Sequence, residues 1–365
     1  MNVKMLKNIN ESPVRTWRWL GVNDFSMDDT IPEPKPYHKE IINIANYEGL
    51  SIQSINKLTN ITFFDINKTS YGVSEELINM AKKQYNTGIY ISSNAGNKIT
   101  EPIIINYYSD KENSFIIDNN IIVAEENSEL TVVIVYESED KAKAFHNGLT
   151  RVYAKKNAKV KLVKIQLFNE ESQNIDSILS VLEEGAEINS VLVEFGGKNT
   201  VVNYMNDLKG LASVSNINSA YFGDKERNID LNYTMRHFGK NTVSNIMTKG
   251  TLMDHSKKIF RGTLDFKRGA SGAKGKEEEY AVLLSPNVRN RAVPLLLCSE
   301  ENVEGAHAAS AGKVDENMLF YIMSRGYSET EAKRLIIEAS LNPIIDLIPL
   351  TDIKGALRDY IKRRL

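Results

Sequence analysis

The side chains best suited to chemistry are few and scattered. Five histidines, His38, His146, His237, His255 and His307, lie far apart, and none has another histidine three or four residues away. No helix face therefore presents the paired imidazoles of a zinc-hydrolase motif. Cys298 is the only cysteine. One thiol forms no internal disulfide, and alone it falls short of the three or four soft ligands of a zinc or iron–sulfur site. His307 lies nine residues beyond it, which leaves a two-residue metal pair open at the level of spacing. Cys298 ends the apolar run from Pro294 and reads as a small buried hydrophobe. His38, His146, His237 and His255 read as turn or strand-surface residues.

Other chemistry is missing or weak. The sequence has no GxxxxGK[ST] phosphate loop, no HExxH and no GxSxG. The glycines of Gly269–Gly275 lack phosphate-loop spacing and read as a surface loop, as does Gly196-Gly197. Glu277-Glu278-Glu279 reads as a solvated acidic face. Trp17 and Trp19 flank Arg18; packing of the N-terminal segment is the expected role, with a base or partner contact as the alternative.

The bulk properties narrow the field. Lys plus Arg total 45 against 47 Asp plus Glu, a net charge of −2. That balance argues against nucleic-acid binding through bulk charge. The N-terminus carries no apolar signal-like stretch, and no run of 18 apolar residues occurs. Cytoplasmic location without membrane association is the expectation, and a single cysteine suits a reducing compartment.

The elements that must position these residues are repetitive. Residues 1–99 form a mixed, partly helical lead-in. Within it the prolines of 31–36 impose an extended connector, and Ser74 caps a helix with acids in its first turn. From about residue 100, apolar and polar residues alternate with the period of a half-buried strand. Leu130–Tyr136, Val160–Ile165, Ile188–Phe195, Val214–Phe222 and Val243–Thr248 each follow a small anchor residue: Ser128, Ala158, Ala186, Ala212 and Thr242. The anchors are 30, 28, 26 and 30 residues apart, with a second strand such as Leu149–Ala154 or Ile259–Phe266 between them. A fixed period of this size marks a stacked array. Two strands and two turns per period fit a β-helix over residues 100–312; an antiparallel sandwich is the alternative.

The texture changes again over 313–365. Asp315 caps a helix with apolar residues at 318, 319, 322 and 323, and Gly326 ends it. Ser328–Glu331 is a capping box, Pro343 and Pro349 interrupt, and Thr351 caps a last helix.

One set of motifs carries a resemblance. Lys249-Gly-Thr-Leu252, Phe260-Arg-Gly262, Leu283-Leu-Ser285, Pro294, Val303–Gly312, Leu319-Phe-Tyr321 and Ser324-Arg-Gly326 closely resemble the SufB/SufD family of the SUF iron–sulfur cluster assembly system. Trp17-Arg-Trp19 resembles that family's N-terminal signature. The resemblance implies a mainly β fold: a right-handed parallel β-helix with N-terminal and C-terminal helical segments. It implies a non-enzymatic scaffold, with ATP chemistry on a separate SufC-type ATPase docked by the C-terminal helices. Leu319, Phe320, Tyr321, Arg325 and Gly326 are the residues implied in that docking. The β-helix is implied to pair with a SufB-type homologue, or with a second copy when isolated. No tightly bound cofactor is implied; iron or an iron–sulfur cluster passes transiently through a shared interface.

Within the family, SufB carries a scaffold cysteine on the strand before the proline. Here Asn287–Pro294 has none, and Val288 or Arg289 holds the approximate position, so the chain resembles SufD. SufD-type proteins carry a His-Gly-Ala segment, matched by His307-Ala-Ala309 with Ala308 in place of glycine. His307 is the implied metal residue; a helix-cap or core histidine is the alternative. Outside this family, a secreted-type β-helical carbohydrate-active enzyme or a structural solenoid remain as competing functions.

Overall fold

The computed structural model describes residues 5–42, 49–58 and 70–365. The lead-in comprises β1 (Met5–Ile9), β2 (Phe25–Thr30), β3 (Leu50–Ser54), α1 (Glu75–Lys83) and β4 (Ile89–Ser93). Ser74 caps α1 by accepting from the Leu77 amide. Then follow β5 (Ile103–Ser109), β6 (Phe115–Ile116), β7 (Asn119–Ala124), β8 (Glu129–Ser138), β9 (Phe145–Ala154), β10 (Lys159–Leu167), β11 (Gln173–Leu182) and β12 (Glu187–Glu194). The series continues through β13 (Asn199–Leu208), β14 (Val214–Gly223), β15 (Asn228–His237), β16 (Val243–Leu252), β17 (Lys257–Phe266), β18 (Lys274–Leu283), β19 (Arg289–Cys298) and β20 (Glu304–Lys313). Three helices close the chain: α2 (Glu316–Ser324), α3 (Glu329–Ile345) and α4 (Thr351–Lys362).

From β4 onward the chain winds as a parallel β-solenoid. One wall has the order β20-β18-β16-β14-β12-β10-β8-β5, and the other runs β19-β17-β15-β13-β11-β9-β7-β4-β3. Only β3 joins antiparallel. Each strand pairs with its counterpart one coil away, in register and without bulges from β8 to β20. Residues of one parity therefore stack in columns that face the lumen. One such column reads Val132, Leu162, Ser190, Ile217, Ile246, Glu277, His307.

The period has a backbone cause. At one corner each coil needs a left-handed residue, and the chain supplies Asn127, Asn157, Gly185, Ala212, Asn241 and Gly272, all with positive φ. Asparagine and glycine accept that conformation at low cost. The buried small residue follows it: Ser128, Ala158, Ala186, Ser213, Thr242 and Ala273. Ala212 is therefore not the anchor; it is exposed at the corner, and Ser213 takes the buried place. The glycine-rich Gly269–Gly275 is a turn as far as Ala273, and only Lys274 and Gly275 belong to strand β18.

Two layers cover the solenoid's outer faces. The lead-in packs Leu6, Ile9, Leu77 and Ile78 against Phe115, Phe145, Ile175 and Val201. Arg261, fully buried, ties it down by donating to the carbonyls of Asn10 (2.8 Å) and Val22 (3.0 Å) and pairing with Asp230. On the other wall, α3 and α4 bury Ile337, Leu341, Ile345, Leu357 and Ile361 over Val163, Val193, Phe195 and Phe222. Tyr360 donates to the Phe195 carbonyl at 2.7 Å, and Arg364 chelates Asp224 at 2.6 and 2.8 Å. Two details differ from expectation: α3 runs through Pro343, and Thr351 is the first residue of α4, whose N-cap Leu350 offers no side-chain cap.

Candidate functional site

The last coil is open. The strand β20 is built from small residues, Gly305, Ala306, Ala308, Ala309, Ser310, Ala311 and Gly312, and every position in it is exposed. With no further coil above it, its lumen-facing column ends in solvent. Both β19 and β20 are also free strand edges, which present unpaired backbone donors and acceptors.

His307 stands at this mouth, on the lumen-facing parity of β20 and in register with Glu277 of β18. It is neither a helix cap nor a core residue. Below it the acidic run splits by strand alternation: Glu277 and Glu279 are buried at 1% and 2% exposure, and only Glu278 faces outward. The expected solvated face is thus wrong for two of its three members. Glu279 pairs with Lys258 and accepts from the Tyr221 hydroxyl at 3.0 Å. Lys258 also donates to the Arg291 carbonyl at 3.1 Å. Glu277 has neither of its buried carboxylate oxygens hydrogen-bonded. Burial, and Glu279 beside it, push its carboxyl up to about 7. A Cβ on Gly262, across the lumen, would sit 2.7 Å from the Glu277 Cγ, so Gly262 makes room for the carboxylate.

Cys298 ends β19 on the opposite wall, stacked above Phe266, and is exposed because no coil covers it. The expectation of a buried cysteine fails for the same reason that exposes β20. Among the described residues, no three His, Cys, Asp or Glu side chains converge as a metal site. Val288 packs partly buried against the core, and Arg289 is exposed.

Two residues past β20, α2 begins with Asp315 accepting from the Asn317 and Met318 amides. It buries nothing fully. Phe320 is 73% and Tyr321 57% exposed, with Met318, Met323 and Tyr327 also outward, while Leu319 is half-buried. Arg325 lies over the Tyr321 ring at 5.1 Å and donates to its hydroxyl at 3.1 Å. Gly326, at φ 98°, reverses the chain into the Ser328–Glu331 capping box. The five residues expected to dock a partner thus share one exposed helix and its C-terminal turn.

The lumen also holds polar residues, among them two histidines that sequence reasoning placed outside. His146 is fully buried, held by Asp118 and Asn174 at 2.6 Å each. His237 is likewise buried, held by Thr242 and Ser244 at 2.8 Å each and stacked on Phe266. Burial lowers its pKa to about 4. Lys164 pairs inside with Asp176 at 2.6 Å. The available signal was parity: Lys164 sits four residues after Val160 on one strand face. Conversely, Trp17 and Trp19 are 67% and 80% exposed, so packing of the lead-in is not their role. Their loop is nevertheless fixed, with the Gly21 carbonyl accepting from Arg291 at 3.1 Å.

Comparison with known proteins places this architecture. Residues 107–340, from β5 into α3, match the family described as SUF system FeS cluster assembly, SufBD core domain. The chain belongs to this family. Among curated relatives, it is 28% identical over 279 residues to the iron–sulfur cluster assembly protein SufD of Bacillus subtilis, covering 76% of this chain and 63% of that one. A SufBD family protein of Pyrococcus horikoshii is 28% identical, with 73% and 59% covered. One from Mycobacterium leprae is 25% identical, with 73% and 30% covered. The chain therefore spans less than two thirds of the length of these relatives. Among the described residues, no helix is long and apolar enough to cross a membrane.

Proposed function

We propose that the chain is a SufD-type, non-enzymatic scaffold subunit of a cytoplasmic SUF complex. In this reading α2 docks a SufC-type ATPase through Leu319, Phe320, Tyr321, Arg325 and Gly326. The open end of the solenoid pairs with a SufB-type homologue, or with a second copy when the chain is alone. Iron or an iron–sulfur cluster is cargo near His307 and not a resident cofactor. The observation that carries the reading is an exposed aromatic helix projecting from a scaffold whose other helices are packed down. Exposed aromatics beside an arginine on a capped helix have the composition of an interface hot spot. Family membership supports assembly over the carbohydrate-active or purely structural alternatives.

The test is co-purification with the candidate ATPase. Deleting residues 313–365 is a poor perturbation, because it would uncover Val163, Val193, Phe195 and Phe222 along with α2. Phe320→Asp with Tyr321→Ala alters the exposed face alone. Loss of the ATPase with an unchanged far-UV spectrum is the expected result. Full retention refutes α2 as the docking element.

A further inference from the structure

We propose that the loop carrying Trp17 and Trp19 is a peripheral site for anionic lipid headgroups, and that it seats the lead-in side of the solenoid on a membrane surface. This goes beyond the scaffold reading and does not rest on it. Both indoles are about two thirds exposed or more, and Val14 in the same loop is exposed as well. A buried frame holds them out. At the base of the loop Asn10 donates to the Asp230 carboxylate at 2.6 Å and to the Val202 carbonyl at 3.2 Å. The Ser12 amide donates to the Asn23 carbonyl at 2.7 Å, and the Asn23 side chain accepts from the Thr16 amide at 2.7 Å. The Leu20 amide closes the turn on the Trp17 carbonyl at 3.1 Å. Arg261 and Arg291 hold the backbone at Asn10, Val22 and Gly21. A frame this extensive, with two indoles left in solvent, is built for display.

Charge says what covers them. Arg18 lies between the indoles and Arg15 precedes them, both exposed. Arg291 reaches the loop from β19, and Arg289, two residues earlier, lies on the same face of that strand. Exposed Lys257 on β17 is in register with Arg289. Against these five cations stand two carboxylates: Glu11, 3.9 Å from Arg15, and Asp24, half-buried at the loop's end. The face is therefore positive in a chain whose net charge is −2. Whole-chain charge hides this local excess, and with it the membrane association that the sequence argued against. Indoles flanked by arginines settle at the boundary between headgroups and acyl chains, where the apolar ring and the N–H are both satisfied. Each cation near an anionic leaflet adds to the attraction. Indoles exposed to this extent stand clear of their neighbours; a protein partner needs a matching cleft for each, whereas a lipid surface needs none. The lead-in packs over Phe145 and Val201, and α3 and α4 over Val163 and Val193 on the other wall, so a chain lying on lipid leaves the helical side free.

Trp17 and Trp19 are the chain's only tryptophans, so their emission reports this loop without background. The full chain is mixed with vesicles of phosphatidylcholine alone, or of equal parts phosphatidylglycerol and phosphatidylcholine, and followed by co-sedimentation and tryptophan emission. Co-sedimentation with a blue shift is expected for the phosphatidylglycerol vesicles, falling as salt rises, and much less of both for phosphatidylcholine. Arg18→Gln should weaken binding about fivefold, the worth of one cation near an anionic surface. Trp17→Ala combined with Trp19→Ala should weaken it about tenfold or more. Lys362→Gln removes the same charge from α4 and should leave binding unchanged. All variants should keep the wild-type far-UV spectrum. No co-sedimentation with phosphatidylglycerol vesicles overturns the proposal, as does co-sedimentation that the double tryptophan variant retains in full. An emission shift caused by oligo(dT), or by co-purification with a SufB-type partner, while vesicles leave the emission unchanged, overturns it too and assigns the loop to nucleic acid or to the paired chain.

Discussion

Gly250, within the Lys249–Leu252 motif, has a steric reason to be glycine. It lies in register with Tyr221 on the neighbouring coil, and the fully buried phenol ring covers it. A Cβ built there would sit 2.0 Å from the Tyr221 Cζ and 2.1 and 2.3 Å from two ring carbons. Gly250→Ala must therefore displace the ring by more than about 1 Å to restore ordinary contact distances. The ring cannot shift freely, because its hydroxyl donates to Glu279, which in turn holds Lys258. Overpacking of this kind costs about 1–3 kcal/mol. Losing the hydrogen bond to a charged acceptor adds about 1.5–3 kcal/mol. Together they give about 2.5–6 kcal/mol. Urea unfolding followed by far-UV circular dichroism should show the midpoint fall. The decisive arm is a double-mutant cycle with Tyr221→Ala, in which the added methyl enters vacated space and its cost drops below about 1 kcal/mol. An equal cost in both backgrounds, or a single-mutant cost under about 1 kcal/mol, would refute the steric reasoning.

Three further outcomes follow from the same packing. Arg261→Ala leaves Asp230 as a buried carboxylate without its cation, costing about 3–5 kcal/mol; limited trypsin digestion should cut first within residues 11–24, the strap that Arg261 holds. His237 is neutral in the fold, with its pKa lowered to about 4 from 6.5, so the unfolded chain binds the extra proton between those values. Its contribution of about 3 kcal/mol is complete above pH 6.5 and is lost as pH falls toward 4; His237→Asn should flatten the stability–pH curve in that window. Ala212 occupies a left-handed corner at φ 54°, where the neighbouring coils use Asn or Gly. Ala212→Gly should therefore stabilise by about 1 kcal/mol in a thermal melt, and a lower melting temperature would contradict the corner argument.

Much of the fold was legible because a solenoid writes its period into the chain. The strands from Leu130 to Thr248 were readable from alternation, and the corner residues set their spacing. Alternation alone does not say which face is inside when polar residues occupy both. His146, Glu277 and Glu279 were therefore placed outside, although each falls on the lumen parity of its strand. The rule that charges face water fails here because Asp118 meets His146, Asp176 meets Lys164 and Lys258 meets Glu279 within the lumen. Cys298 failed in the opposite sense. Its run is apolar enough for a core, but it belongs to the terminal coil, and burial there depends on a neighbour that the local sequence does not encode. The helix caps at Ser74, Asp315 and Ser328 were legible because they are purely local hydrogen bonds.

The two ends of the C-terminal region differ in a way that bears on mechanism. The helices α3 and α4 are fixed to the wall by an apolar layer, by the Tyr360–Phe195 hydrogen bond and by Arg364 on Asp224, which also pairs with Arg227. The helix α2 has no fully buried residue. A load applied to α2 by a docked ATPase would pass through α3 into the coils that carry Phe195 and Asp224, which are central in the stack. A parallel solenoid is hydrogen-bonded along every coil, so that load moves the rod as a body and does not bend it locally. The compliant part is then the terminal coil, where β19 and β20 have one bonded edge each and β20 is built of small side chains. If docking at α2 and pairing at the mouth hold, motion concentrates on the strands that carry His307 and Cys298, directly above the β18 strand that buries Glu277.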